Sequence, residues 1–155
     1  MEYVIRNAAE ADLDGLEELE RACFSLPWTR EQLRGELPDE RHEFLAAASA
    51  DGRVLGYIGM MTVLDEGYIS NVAVAPEARR REIGRALVKE MLHLAEKREL
   101  SFVTLEVRAH NESAIELYAG EGFLPVGLRR DYYERPREDA LLMTRFFQDK
   151  GREET

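Results

Sequence analysis

The chain has 155 residues, 45% of them hydrophobic and 34% charged, with a formal net charge of -10 and a single cysteine. That length suits one domain that buries about two thirds of its unfolded surface, so no metal or disulfide is needed to hold it. The charge argues against broad nucleic-acid binding and favours a cationic partner such as a basic peptide or an amine, while His42, His93 and His110 stand too far apart for metal-ligand spacing.

Taken in order, Tyr3 to Asn7 suits a first strand, and Glu10 to about Phe24 an amphipathic helix with an acidic outer face. Cys23 continues the apolar stripe of Leu13, Leu16 and Leu19 and reads as core. Ser25-Leu26-Pro27-Trp28 cannot be helical through the residue before proline, so it is expected as a loop presenting Leu26 and Trp28. Thr29 and Gln32 form a capping box for a short helix ending near Pro38. Glu43 to Ser49 and Arg53 to Leu64, joined at Asp51-Gly52, form a hairpin, and Gly67 marks the next reversal. Tyr68 to Val74 is a strand, followed by a helix to about Lys97 and a strand from Phe102 to Arg108. Asn111 caps a helix over Glu112 to about Glu121, which Gly122 closes as a left-handed residue. The last strands, Phe123 to Arg130 and Asp139 to Phe147, flank a polar loop carrying Tyr132 and Tyr133. One domain over 1–147 and a charged tail over 148–155 follow from this order. The opening Met-Glu-Tyr-Val-Ile-Arg lacks a basic segment leading into an apolar one, and no apolar run approaches a membrane span, so the expectation is a cytoplasmic chain without membrane attachment.

Strands first, then strand-helix-strand-helix, predict an α/β fold with a mixed sheet and helices on both faces. Ligands of such sheets lie beyond the carboxyl ends of the strands. Here the strand ending at Val72-Ala73-Val74 runs into a turn containing Arg79, Arg80 and Arg81 and then a helix with Ile83, Leu87, Met91 and Leu94 at helical spacing. The first N–H groups of a helix lack intrahelical partners and its dipole places roughly half a positive charge there, so the junction suits a phosphate. A solvated surface is the competing reading of the arginines. Glu82 opposes the first reading by placing a negative charge in the turn.

Strand alternation puts Val103, Leu105 and Val107 on one face and Phe102, Thr104, Glu106 and Arg108 on the other. Glu106 has two readings: partner of an arginine such as Arg108, or general base in a cleft. Tyr118 lies on the helix face that can look back toward the phosphate motif, where a core tyrosine is the competing reading.

The sequence resembles the GNAT acetyltransferases, and more closely their RimI-type members, which acetylate the amino-terminal alanine of a ribosomal protein. Four pieces between Ile5 and about Met143 carry the resemblance: Phe24 to Thr29; Asn71 to Leu87; Leu105-Glu106-Val107-Arg108 with Asn111 and Leu117-Tyr118; and Arg129-Arg130-Asp131-Tyr132-Tyr133 with Arg137-Glu138-Asp139-Ala140. The resemblance implies a mixed, mostly antiparallel sheet of about seven strands flanked by about four helices. It also implies acetyl-CoA as cosubstrate, held by the backbone of Val72, Ala73 and Val74, with its pyrophosphate over the turn from Arg79 through Arg80, Arg81, Glu82, Ile83 and Gly84 to Arg85 and its pantetheine arm near Asn111. Glu106 would then be the general base, Tyr118 the acid that protonates the departing thiolate, and Leu26, Pro27, Trp28, Tyr132 and Tyr133 the wall of a peptide groove for a protein N-terminus. A small-amine acetyltransferase and a catalytically silent module binding CoA or peptide are the alternative functions. The sequence departs from the family's Q/R-x-x-G-x-G/A turn at Glu82, which replaces the first glycine. A side chain in the conformation a glycine would adopt there costs on the order of 1–2 kcal/mol, and the expectation is that it turns to solvent.

Overall fold

The computed structural model describes residues 2–79 and 82–147. Seven strands form one sheet in the order β1-β2-β3-β4-β5-β7-β6, with β1 over Tyr3–Asn7, β2 over His42–Ser49, β3 over Val54–Val63, β4 over Glu66–Val74, β5 over Phe102–Arg108, β6 over Leu124–Glu134 and β7 over Arg137–Phe146. Every neighbouring pair is antiparallel except β4 and β5. Among the described residues four α-helices accompany the sheet: α1 (Leu13–Cys23), α2 (Arg30–Glu36), α3 (Ile83–Lys97) and α4 (Glu112–Gly120). The architecture is thus the mostly antiparallel α/β sheet expected.

Consecutive residues of β3 assign the helices to faces. A Cβ on Gly56 would meet Leu87 and Ile83 of α3, whereas the adjacent Tyr57 sends its hydroxyl to Glu20 of α1. Successive side chains of a strand point to opposite faces, so α3 covers one side and α1 the other. Leu117 of α4 packs beside Gly84 of α3, and Glu121 just after α4 binds Arg85, which puts α4 on the α3 side. Ile58, Met60, Val103, Leu105, Leu87, Met91 and Phe123 fill the layer beneath α3, with Leu13, Leu16, Phe44 and Tyr57 buried elsewhere in the same continuous core.

The parallel pair creates the site. Its register runs only through Glu66↔Phe102, Gly67↔Val103 and Tyr68↔Thr104, although β4 continues to Val74 and β5 to Arg108. A bulge in β4 at Ser70, opposite Gly59 and Met60 of β3, falls where the pairing ends. Such an extra residue bends its strand and raises the local twist, so β4 leaves β5 and a gap opens in the middle of the sheet.

Several expected elements differ in detail. Gly67 is not a reversal but lies inside β4, where any Cβ would come within 2.9 Å of the Met60 sulfur; the hairpin bends instead at Leu64 with φ 55°. Tyr132 and Tyr133 are not in a loop, because β6 runs on to Glu134. The first helical turn at Glu10–Asp12 is 3-10, and α1 follows it. Glu20 does not belong to the acidic outer face of α1; it is 1% exposed. Asn111 caps α4 and Gly122 has φ 91°, both as expected. The expected tail over 148–155 lies outside the described residues.

Candidate active site

On the β4 side of the gap, Ala75 N–H donates to Leu55 C=O at 2.8 Å. Antiparallel alternation then turns the backbone groups of Ala73 toward β3 and those of Val72 and Val74 toward the gap, where among the described residues no strand pairs them. The N–H groups of Val72 and Val74 and the Val72 carbonyl thus face the gap, in the way that binds an extended amide-bearing chain. The Val74 carbonyl is met by Arg79 Nε at 3.1 Å and by the Cys23 thiol at 3.4 Å. Cys23 is therefore half-buried against the very strand from which it is distant in sequence.

The turn beyond β4 leads to the N-terminus of α3. Glu82 is its N-cap, in the left-handed region at φ 64°, with no side-chain hydrogen bond to the helix. Its carbonyl accepts from Ala86 N–H, leaving the N–H groups of Ile83, Gly84 and Arg85 without intrahelical acceptors. The Glu82 side chain is 76% exposed, and Arg85 Nε lies 3.5 Å from its carboxylate, so it does turn to solvent. Arg85 also donates to Glu121 at 2.8 Å, which fixes its guanidinium between α3 and α4. Ile83 is buried in the core and has only its N–H to give the turn. Arg80 and Arg81 lie outside the described residues. Uncapped helix N–H groups, a basic turn and an adjoining open strand edge together fit the pyrophosphate and amide-rich arm of acetyl-CoA.

Glu106 stands on β5 just past the last parallel pair, with its side chain 29% exposed. It shares its face with Thr104 and Arg108, the face that α1 covers. Its arginine neighbour is Arg129 of β6, at 3.9 Å, rather than Arg108. Arg108 instead holds the β6–β7 turn, donating to the carbonyls of Pro136 at 2.9 Å and Arg135 at 3.2 Å and pairing with Glu138. Tyr118 approaches from α4 on the opposite side of the sheet. Burial, and secondarily the neighbouring Tyr133, push its phenol up to about 12, so it keeps its proton at neutral pH. Tyr133 is likewise pushed up to about 12, first by burial and then by Tyr132 and Glu106. Asn111 spends its side-chain oxygen on Ala114 N–H at 3.2 Å, at the head of α4.

The remaining candidates form two walls. Leu26 and Pro27 are exposed and Trp28 packs partly against the core; Tyr132 and Tyr133 stack edge-on with centroids 5.0 Å apart, and Arg108 lies over the Tyr133 ring at 4.3 Å. The Ser25 hydroxyl donates to the Arg135 carbonyl, tying the α1–α2 loop to the β6–β7 turn. Two segments more than a hundred residues apart thereby flank the Glu106 face. Beneath the first wall lies Glu20, a buried carboxylate in a helix expected to be acidic on its outer face; the local signal for its burial is its place four residues after Leu16 and three before Cys23, on the apolar stripe.

A split parallel pair with an uncapped helix beyond it defines a class of acyl-CoA-binding fold. The model of the Acetyltransferase (GNAT) family matches residues 13–123, and the chain belongs to that family and, with it, to the acetyl-CoA-dependent N-acetyltransferases. Within it, the chain is 34% identical over 139 residues to the putative ribosomal protein bS18-alanine N-acetyltransferase of Bacillus subtilis, covering 90% of this chain and 92% of that one. It is 32% identical over 141 residues to the ribosomal protein bS18-alanine N-acetyltransferase of Escherichia coli, covering 90% and 94%. The crystal structure of the ribosomal-protein-S18-alanine N-acetyltransferase from Escherichia coli superposes with a TM-score of 0.89 at 30% identity over 98% of both chains. The chain is therefore of the RimI type. No described helix is long and apolar enough to cross a membrane.

Proposed function

We propose that this protein transfers acetyl from acetyl-CoA to the α-amine of a protein N-terminus, with an alanine-initiated ribosomal protein as acceptor, and that it works in the cytoplasm where such acceptors are made. The observation that carries the reading is the gap between β4 and β5, with amide groups on one edge and Glu106 on the other. The relatives named for bS18-alanine acetylation match over nine tenths of the chain, which supports the acceptor.

Acetyl-CoA supplies an activated acetyl thioester. Backbone groups of Val72 and Val74 hold its amide-bearing arm, with Ala73 keeping β4 on β3, and Asn111 borders the arm at the head of α4. The N–H groups of Ile83, Gly84 and Arg85 receive the pyrophosphate, with Arg79, Arg80 and Arg81 adding positive charge. Glu106 takes a proton from the acceptor amine, through water where contact is not direct, and Tyr118 supplies one to the departing sulfur. A backbone N–H near Val72 stabilises the developing oxyanion. Leu26, Pro27, Trp28, Tyr132 and Tyr133 wall the acceptor groove. An α-amine near pKa 8 suits this modest base, because a lysine near 10.4 needs about 3.5 kcal/mol more for deprotonation.

Mass analysis of acetyl transfer to peptides differing only in their first residue, alongside free small amines, tests the reading. Fastest transfer to the alanine-initiated peptide is expected; preference for the free amines would make the protein a small-amine acetyltransferase instead.

A further inference from the structure

Glu20 has no role in the chemistry above, yet it is the most deeply buried carboxylate among the described residues and sits where three elements meet. One oxygen accepts from the backbone N–H of Trp28 at 2.7 Å; the other accepts from the Tyr57 hydroxyl of β3 and lies 3.5 Å from Asn71 Nδ2 of β4. Among the described residues no Lys, Arg or His pairs with it, so its partners are three neutral donors from three separate segments. Burying a carboxylate on neutral donors alone is costly and is tolerated only where the hydrogen bonds are made.

The geometry points to a positioning role: Glu20 clamps the acceptor-groove loop, through Trp28, to β4 at the residue where that strand departs from β5. Asn71 is the residue after the bulge and the one before Val72, so one carboxylate touches both the acceptor wall and the start of the acetyl-CoA edge. One turn farther along α1, Cys23 donates to the Val74 carbonyl and Arg79 donates to its sulfur at 3.5 Å, which seats the end of α1 on the same stretch of β4. The loop that presents Leu26, Pro27 and Trp28 is held by two hydrogen bonds to residues outside it, Glu20–Trp28 at one end and Ser25–Arg135 at the other. Loss of the first anchor leaves the gap and Glu106 in place while the acceptor wall drifts. The effect therefore belongs to acceptor binding and not to acetyl-CoA binding or turnover.

This inference rests on the acetyl-transfer reading, and Trp28, the single tryptophan, allows the two to be tested apart. Glu20→Met fills the same volume without an acceptor for Trp28 N–H, whereas Glu20→Gln retains one. With an alanine-initiated peptide as acceptor, Glu20→Met is expected to raise the peptide KM about tenfold with kcat and acetyl-CoA Kd within about threefold, and to increase acrylamide quenching of Trp28 fluorescence; Glu20→Gln restores KM to within about threefold of the parent. Tyr57→Phe, which frees the carboxylate from β3 and keeps the core filled, gives a smaller KM rise of the same kind and decides the matter if Glu20→Met does not fold. A folded Glu20→Met with unchanged KM and quenching overturns the clamp, as does a kcat loss of about a hundredfold with unchanged KM, which would make Glu20 part of the chemistry. Absence of turnover by the parent protein defeats the acetyl-transfer reading instead, and the quenching comparison still tests the clamp.

Discussion

Glu82 occupies the position where the family turn has glycine, and it keeps the glycine-like backbone, at φ 64°. Its carboxylate is exposed and neighboured by Arg85, so solvent and that guanidinium screen its repulsion of a phosphate. Glu82→Gly is expected to tighten acetyl-CoA binding about three- to tenfold by titration calorimetry. Its stability should stay within about 1 kcal/mol of the parent, because relief of the left-handed strain and the added chain entropy of glycine are of similar size. Equal affinities would remove the electrostatic account. Glu20 gives a second test at this scale. Burial raises its pKa, against the opposing effect of the Tyr57 and Trp28 hydrogen bonds. A carboxyl raised in the folded state contributes stability that is full below its ordinary value near 4.3 and is lost as pH rises through the folded value. Urea unfolding of Glu20→Gln, which cannot ionise, should therefore gain on the parent as pH rises above the ordinary carboxyl value near 4.3; a constant difference would mean that the carboxyl is not perturbed.

At the scale of elements, the splayed pair of β4 and β5 depends on β3 holding β4 in place. Gly56 permits this: a Cβ there would stand 2.8 Å from the Ala73 carbonyl oxygen and 3.3 Å from Leu87. Gly56→Val is expected to destabilise the protein by about 1–3 kcal/mol in urea unfolding, and a neutral result would show that β4 yields without cost. The elements with local signals were legible in the sequence. Asp51-Gly52, the Thr29 capping box, the 3.6-residue repeat of α3 and the Asn111 cap each depend on neighbours in the chain. β6 was cut short because it is an edge strand, exposed along nearly its whole length, so Arg129-Arg130-Asp131 gives no inside-outside alternation to read. Gly67 looked like a turn because a glycine required by close packing on Met60 and Leu100 is indistinguishable, in sequence, from one required by positive φ. The bulge at Ser70, the burial of Glu20 and the pairing of Glu106 with Arg129 rest on contacts between distant segments, and no local pattern encodes those.

For the molecule as a whole, the sheet is continuous on both sides of the gap, and the proposed base and acid belong to separate layers: Glu106 on the face covered by α1, Tyr118 on α4, which lies against α3 on the other. Glu106 and Tyr118 both lie in motifs that carry the family resemblance, but their distribution across two faces of the sheet follows from topology. The net charge of -10 carried by the whole chain suits the cationic terminus proposed as acceptor. The account is tested most directly by incubating the protein with acetyl-CoA and an alanine-initiated peptide that carries an internal lysine, and locating the acetyl group by fragmentation mass spectrometry. The expected result is one acetyl group on the α-amine, formed about a hundredfold or more slowly by Glu106→Gln although that variant still binds acetyl-CoA. Acetyl on the lysine alone, or undiminished transfer by Glu106→Gln, would contradict it.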